Sequence, residues 1–194
     1  YVFKGTEEAL NIGKKGFMKF FNENALGGKR VFFGLKRMEE DLINFGLDLF
    51  NAPIKAGGCI TTGGSESLVI AVKAARDNMR SKKNKPTKQL NIVAPITVHP
   101  AFDKACNLMD IEIRRANIQS DCRVDVDHIE SLIDEHTMLI VGSAPCFPHG
   151  VIDPIEKLSA LAIKLDIWLH VDACVGGYIL PFLKMSGREL EMFD

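Results

Sequence analysis

The fold is decided by CITTGGSESLVIAVKAARDNM, residues 59–79. Its first four residues favour a strand, and the two glycines that follow them favour a tight turn. From residue 65 onward one apolar stripe recurs at helical spacing: Leu68, Val72, Ala75 and Met79. The stretch therefore predicts a strand at residues 59–62, a glycine turn and an amphipathic helix in immediate succession.

The same alternation of strand and helix continues outward to residue 172. Short apolar runs predict further strands at residues 90–94, 111–115, 138–141 and 167–171. Helical patterns lie between them at residues 99–109, 125–136 and 154–165. Five strands with intervening helices predict an α/β fold with a mostly parallel sheet flanked by helices. Ligands bind beyond the carboxyl ends of the strands in such sheets, so polar residues there are the candidates for function.

The N-terminal part has a different pattern, helical and without a strand. Thr6 is followed by two acidic residues, which is typical of a helix start. An apolar stripe over residues 35–49 predicts a second helix. Such a stripe is typical of a core face, and a subunit contact is the alternative. We therefore divide the chain into an N-terminal helical segment, residues 1–56, and a partial large domain, residues 57–194.

The composition excludes several classes of protein. A formal net charge of −1 argues against a nucleic-acid binder, which would need clustered cations. The five cysteines are scattered and odd in number, which indicates a reducing, cytoplasmic location rather than a disulfide framework. No apolar run approaches the ~20 residues of a membrane span, so we expect no membrane segment in these residues. Because the chain begins at Tyr1 and ends at Asp194 without a stop signal, we expect a segment of a longer protein.

The glycine turn is a candidate site for a phosphate. Gly63, Gly64 and Ser65 stand where a strand passes into a helix, and the first turn of a helix offers free backbone N–H groups to an anion. Glycine also allows close approach of the backbone. The alternative is a tight turn in which Ser65 is the helix N-cap.

A carboxylate is predicted at the end of the last strand. Asp172 lies in WLHVDACVGG, residues 168–177, and a carboxylate at the end of a buried strand must be paired. Its partner is either a ligand cation or a helix or loop amide. His170, Asp172 and Cys174 share one face by the strand period of two. A metal site would need further ligands, and none converge in the sequence.

Two more strand ends carry polar candidates. His99 follows the second predicted strand and either contacts a ligand or forms a hydrogen bond at the start of a helix. Ser143 follows the fourth predicted strand and opens a stiff loop with prolines at positions 145, 148 and 154. A loop of this kind holds one conformation, as the wall of a ligand site would.

In this order along the chain, the motifs resemble one family. The sequence resembles the pyridoxal phosphate-dependent group II decarboxylase superfamily and, within it, the sphingosine-1-phosphate lyase family. The most specific matches are FPHGVIDP, residues 147–154, and VDAC, residues 171–174. The resemblance implies the large domain of a transferase of fold type I, aspartate aminotransferase-like and incomplete in this chain. It also implies pyridoxal 5′-phosphate as cofactor, a homodimer, and a small-molecule amine or amino-acid substrate.

The resemblance also implies where the phosphate and one face of the cofactor ring lie. Gly63, Gly64 and Ser65 would hold the cofactor phosphate. His99 would stack on the pyridine ring, a role that suits its flat aromatic side chain.

The remaining cofactor contacts follow from the resemblance in the same way. Asp172 would pair with the pyridine nitrogen and keep it protonated, so that the ring serves as an electron sink. Ala173 would pack its methyl group on the opposite ring face. Ser143 would donate a hydrogen bond near a cofactor oxygen.

Three functions are compatible with these motifs. The leading hypothesis is a pyridoxal phosphate-dependent carbon–carbon lyase that acts, through a cofactor imine, on a substrate such as a phosphorylated sphingoid base. The first alternative is an amino-acid decarboxylase on the same scaffold. The second alternative is a non-catalytic α/β module, or pseudoenzyme, that binds a phosphorylated ligand.

The sequence departs from the family pattern at two places. The family's Asn-Pro-Leu-His run is absent from residues 25–33, although Lys29 and Arg30 are candidates to meet an anionic substrate. No Schiff-base lysine follows Asp172 in the family context, and we interpret Lys184 as a solvated helix lysine. We therefore predict that no catalytic residue lies in this chain, that the segment alone is inactive, and that two further strands of the family sheet lie beyond it.

Overall fold

The computed structural model describes residues 5–23, 31–82 and 85–188. By their contacts the residues group into two compact units, Tyr1–Ile60 and Thr61–Asp194, and each unit is described by itself. The division expected between residues 56 and 57 stays a prediction. The candidate substrate residues Lys29 and Arg30 lie outside the described residues.

The first unit contains the helices α1 (Glu7–Lys19) and α2 (Phe33–Leu49). The predicted helix start is confirmed, because Thr6 is the N-cap of α1 and its Oγ1 accepts a hydrogen bond from the amide of Ala9 at 3.2 Å. The apolar stripe of α2 is not a core face, since Met38 and Leu42 are 45% and 58% exposed. The core interpretation of this stripe was therefore wrong, and a subunit contact stays a prediction.

The second unit is built on a parallel sheet. Its elements in chain order are α3 (Gly64–Ser81), β1 (Asn91–Pro95), α4 (Ala101–Met109), β2 (Glu112–Ala116), α5 (Val126–Ser131), β3 (Thr137–Ser143), α6 (Ile155–Leu165), β4 (Trp168–Asp172) and α7 (Leu180–Met185). The strand order is β2-β1-β3-β4, and every neighbouring pair is parallel. The carboxyl ends of the strands therefore meet at one edge of the sheet, as the predicted α/β fold requires.

The core fills both faces of this sheet. One face carries α3 and α4, and Phe102 of α4 is fully buried there beside Ile92 of β1. The other face carries α5 and α6, and Leu158 of α6 is fully buried there with Val93 of β1. Because successive residues of a strand point to opposite faces, β1 serves both cores. Covering on both faces explains why the central strands β1 and β3 are buried along their whole length rather than alternating between buried and exposed residues.

Two predicted elements differ from the structure. Residues 59–62 form no strand, because a strand needs a partner for its backbone hydrogen bonds and none pairs with this segment among the described residues. The helix expected over residues 125–136 is confined to Val126–Ser131. It ends early because Asp134 and Thr137 form a turn instead, in which the amide of Asp134 donates to the hydroxyl of Thr137 at 3.0 Å.

Candidate active site

The glycine turn forms the start of α3. The N-cap is Gly63, and no side chain caps the helix. The alternative interpretation with Ser65 as N-cap is therefore wrong, since Ser65 lies within the first turn. Among the described residues, the backbone amides of Gly64, Ser65 and Glu66 have no acceptor. Three free N–H groups at the positive end of a long helix have the chemistry to accept an anion.

Glu66 stabilises the turn through hydrogen bonds. Its Oε2 accepts hydrogen bonds from the amide and the hydroxyl of Thr62, at 2.7 and 2.6 Å. These two bonds lower the pKa of the Glu66 carboxyl, because both donors favour its charged form. On the other side of the turn, the hydroxyls of Thr61 and Ser67 lie 2.6 Å apart. The loop conformation is therefore set by hydrogen bonds between Thr61 and Thr62 of the loop and the first turn of α3.

Ser143 and Asp172 end the neighbouring strands β3 and β4 and are partners in the parallel register. The amide of Ala144 donates to the backbone oxygen of Asp172 at 2.9 Å, which extends the ladder one step further. Oδ1 of Asp172 accepts the amide of Cys174 at 3.2 Å, so the loop-amide partner foreseen for this carboxylate is present. Within the described part of the chain, no hydrogen bond reaches its Oδ2. One oxygen is thus held and the other is available to a ligand.

The glycine turn and the segment after β4 are neighbours in space. A β-carbon placed on Gly64 would lie 3.9 Å from Sγ of Cys174, whereas one on Gly63 would meet no atom within 4 Å. The segment after β4 also packs closely on β3, because a β-carbon on Gly176 would lie 2.0 Å from the backbone oxygen of Ala144. The fold therefore brings the amides at the start of α3 close to the loop that follows Asp172.

His99 and Ala173 complete the candidates from the sequence. His99 is exposed, and its Nδ1 accepts the amide of Ala101 at 3.1 Å. It thus forms the hydrogen bond at a helix start that was the alternative for this residue, and its stacking on a ligand stays a prediction. Ala173 is half-buried directly after β4, and its backbone oxygen accepts the amide of Gly177 at 2.8 Å.

Two buried polar atoms near the carboxyl edge have no hydrogen-bond partner among the described residues. They are Oγ1 of Thr97, in the turn after β1, and Nε2 of His170 on β4. Burial lowers the pKa of His170, although the nearby charge of Asp172 opposes the shift, so its imidazole is neutral at pH 7. Its ring packs edge-on against Phe102, with ring centres 5.6 Å apart.

The structure also describes the other chemical candidates. In the described ranges, no group of three or more histidine, cysteine, aspartate or glutamate residues is arranged to hold a metal ion. Lys184 is exposed on α7, which confirms its interpretation as a solvated helix lysine. The cysteines are free thiols.

A known protein family matches most of the chain. The family model of the pyridoxal-dependent decarboxylase conserved domain matches residues 35–194. The chain belongs to this pyridoxal-dependent decarboxylase family. The resemblance found in the motifs is thereby confirmed, and so is the predicted fold class. The cofactor that the family implies is pyridoxal phosphate, as the motifs predicted.

Individual relatives include sphingosine-1-phosphate lyases and an amino-acid decarboxylase. The chain is 37% identical over 194 residues to the sphingosine-1-phosphate lyase of Dictyostelium discoideum, covering 100% of this chain and 36% of that protein. It is 38% identical over 177 residues to a probable L-tyrosine/L-aspartate decarboxylase of Methanosarcina acetivorans, covering 86% of this chain and 45% of that protein. The solved structure of Burkholderia pseudomallei sphingosine-1-phosphate lyase superposes with a TM-score of 0.90 and 31% identity, over 97% of this chain and 44% of that one. The chain thus spans less than half the length of each of these proteins.

The residues of the described site fit pyridoxal phosphate. The free amides at the start of α3 suit its phosphate, and Gly63 leaves open space where a side chain would intrude. The free Oδ2 of Asp172 suits a protonated pyridine nitrogen.

Several residues that shape this site were not among the candidates predicted from the sequence. Glu66 stands three residues after the N-cap, and that spacing is a known signal for a side chain that reaches back over a helix start. Gly176 is one of two glycines after the last strand, which signals close packing of backbones. No local pattern signals the unpartnered hydroxyl of Thr97.

Proposed function

We propose that the full-length protein is a pyridoxal phosphate-dependent carbon–carbon lyase that cleaves an amine substrate such as a phosphorylated sphingoid base. The observation that carries this proposal is the Asp172 carboxylate with one free oxygen, followed by a loop that lies close to the free amides of Gly64 and Ser65. The identity to sphingosine-1-phosphate lyases across the chain supports the choice of substrate.

The proposed roles of the residues follow from their chemistry. When bound, pyridoxal phosphate supplies an electron sink for a bond that breaks beside the substrate's amino group. The carboxylate of Asp172 holds a proton on the pyridine nitrogen, because an ion pair there favours the protonated form. The amides at the start of α3 hold the phosphate and so fix the position of the ring. Each of these groups binds or orients, and none of them attacks the substrate.

Three further residues are proposed to orient the ring. His99 stacks on one face of the pyridine and Ala173 packs on the other. Ser143 donates a hydrogen bond near a cofactor oxygen, from a strand end beside Asp172. For His99, stacking requires that its ring lie over the cofactor while Nδ1 keeps its bond to Ala101.

The lysine that would carry the cofactor is proposed to lie outside these residues. Lys184 is the lysine that follows Asp172 in this sequence, and it stands exposed on a six-residue helix. A carrier lysine needs a position facing the cofactor and an environment that lowers its pKa. We therefore propose that residues 1–194 alone do not catalyse the reaction.

A decarboxylase is the second candidate. The 38% identity to the protein from Methanosarcina acetivorans favours it, and the contacts proposed for the cofactor are the same in both reactions. Which bond breaks depends on which one stands perpendicular to the ring, and the groups that decide this contact the substrate rather than the cofactor. A non-catalytic module that only binds a phosphorylated ligand is the third candidate.

We also propose a homodimer in the cytoplasm. The exposed apolar positions Met38 and Leu42 on α2 support a subunit contact, because exposed apolar stripes commonly mark interaction surfaces. The free thiols support a reducing compartment. Among the described residues, no helix combines the length and the apolar character needed to cross a membrane.

One experiment separates the three candidate functions. The full-length protein is incubated with pyridoxal phosphate, its visible absorbance is recorded, and borohydride is added before peptide mapping. A lysine covalently modified after reduction supports an enzyme, and its absence supports the non-catalytic module. If a lysine is modified, release of a long-chain aldehyde from a phosphorylated sphingoid base supports the lyase. Release of carbon dioxide from a free amino acid without that aldehyde supports the decarboxylase.

A further inference from the structure

Asp153 is a buried carboxylate that ties three segments of the chain together. Its side chain belongs to the FPHGVIDP loop and is 2% exposed. Oδ2 accepts the amide of Ser143 at 2.8 Å, and Oδ1 accepts the amide of Val124 at 2.9 Å. The amide of Asp153 donates in return to the backbone oxygen of Ser143 at 3.0 Å. Ser143 and Asp153 are therefore joined by a reciprocal pair of hydrogen bonds.

These bonds continue to the candidate cofactor carboxylate. Ser143 is the register partner of Asp172, and the next amide, that of Ala144, donates to the backbone oxygen of Asp172 at 2.9 Å. The close approach of Gly176 to Ala144 leaves this segment little room to shift. A displacement of Ser143 would therefore move the strand end that carries Asp172.

Burying a carboxylate in order to bind two backbone amides in the interior costs free energy. Burial raises the pKa of Asp153, and the hydrogen bonds from Val124 and Ser143 and the charge of Arg123 only partly offset that effect. Because Asp153 is shielded from solvent and its oxygens are occupied by backbone amides, it is not placed to exchange a proton with a substrate. Its geometry is that of a residue that fixes the positions of others.

We propose that Asp153 is a positioning residue of the cofactor site, which holds Ser143 and through Ala144 the strand end at Asp172. This inference rests on the proposed function. A merely structural role would lower the stability of the fold without changing cofactor affinity in the folded fraction. A positioning role changes the affinity and the spectrum of the bound cofactor.

The test uses Asp153→Asn in the full-length protein, titrated with pyridoxal phosphate and followed by visible absorbance and circular dichroism. Asparagine is nearly isosteric with aspartate, but its single side-chain oxygen can accept a good hydrogen bond from only one of the two backbone N–H groups. We expect about tenfold weaker cofactor binding and an altered dichroic band, because one hydrogen bond to a charged group is lost. Asp153→Ser is the second variant, to be used if Asp153→Asn does not fold.

Asp125→Asn is the matched control, because Oδ1 of Asp125 also accepts two backbone amides, those of Asp127 and His128 at 3.1 and 3.2 Å. This variant is expected to bind the cofactor as the wild type does. Wild-type affinity and spectrum in whichever Asp153 variant folds would overturn the inference and leave the proposed function standing. A wild-type protein that fails to bind the cofactor would overturn the proposed function and this inference together.

Discussion

Ser143 and Asp172 face each other as register partners at the carboxyl ends of two neighbouring parallel strands. The backbone of Ser143 is held by Asp153, and Asp172 leaves one of its carboxylate oxygens free. The pair thus combines a fixed backbone with an available charge. A site for a charged heteroaromatic ligand needs a fixed backbone and an available charge of this kind.

Replacing Asp172 by Asn in the full-length protein should reduce turnover by about a hundredfold or more, while the fold is retained. The amide keeps the shape and can still accept the amide of Cys174, but it cannot hold a proton on a pyridine nitrogen. Steady-state kinetics with saturating cofactor measures the effect. Asp166→Asn, which alters an exposed carboxylate paired with Lys82, is the control. Unchanged turnover in Asp172→Asn would rule out the proposed pairing.

Alanine at Gly176 should destabilise the protein more than alanine at Gly142. At Gly176 the new methyl group would lie 2.0 Å from a backbone oxygen of Ala144, which cannot move without shifting the strand end. At Gly142 the nearest atoms are ends of flexible side chains, on Leu158 and Ile155. We expect losses of about 3 and about 1 kcal/mol, measured as free energies of unfolding in urea. Equal losses would show that the packing at Gly176 is looser than described.

Acid should remove the contribution of Asp134 to stability. Burial opposes ionisation of this carboxyl, but hydrogen bonds from Asn91 and Arg114 outweigh it and lower its pKa to about 2 from a usual 3.8. Because the folded-state pKa is the lower one, the stabilisation is present above the usual value and is lost as the pH falls towards 2. Asp134→Asn should therefore cost about 1 kcal/mol at pH 7, allowing for its partial exposure. The cost should shrink towards zero in unfolding curves recorded at successively lower pH, and a cost that does not change with pH would contradict this account.

Cofactor should protect Cys174 from alkylation. Its thiol is exposed and lies beside Gly64, where the phosphate is proposed to bind. Cys106 should stay unlabelled at pH 8, since burial and the nearby charge of Asp103 raise its pKa to about 12 despite Arg115. Peptide mapping after iodoacetamide treatment, with and without pyridoxal phosphate, measures each site. Cys122 is the internal control, and equal labelling of Cys174 in both samples would argue against a phosphate at Gly64.

Much of this fold could be predicted from local patterns. The stripe from Leu68 to Met79 is the buried face of α3, and the apolar runs around Val93 and Ile140 are the central strands. Periodicity works here because both elements bury a regular face. The strand expected at residues 59–62 failed because pairing depends on a partner that composition does not reveal.

The candidate site was predictable only in part. The glycine turn and Asp172 carry recognisable local motifs, and the structure brings their segments together. The role of Asp153 could not be predicted, because its hydrogen bonds reach residues ten and twenty-nine positions away along the chain. The short contact between Gly176 and Ala144 could not be predicted either, because it exists only once β3 and β4 are paired.

The two border strands of the sheet, β2 and β4, differ in the number of charged side chains they carry. This difference affects where another strand can pair with the sheet. The border strand β2 carries Glu112, Arg114 and Arg115, and such charges discourage another strand from docking alongside. The strand β4, which pairs with β3 alone among the described residues, carries one charge, at its last position Asp172. The charges of its border strands therefore favour extension of this sheet on the β4 side over the β2 side. For anyone producing this polypeptide, a charged replacement on that border is the first remedy against aggregation.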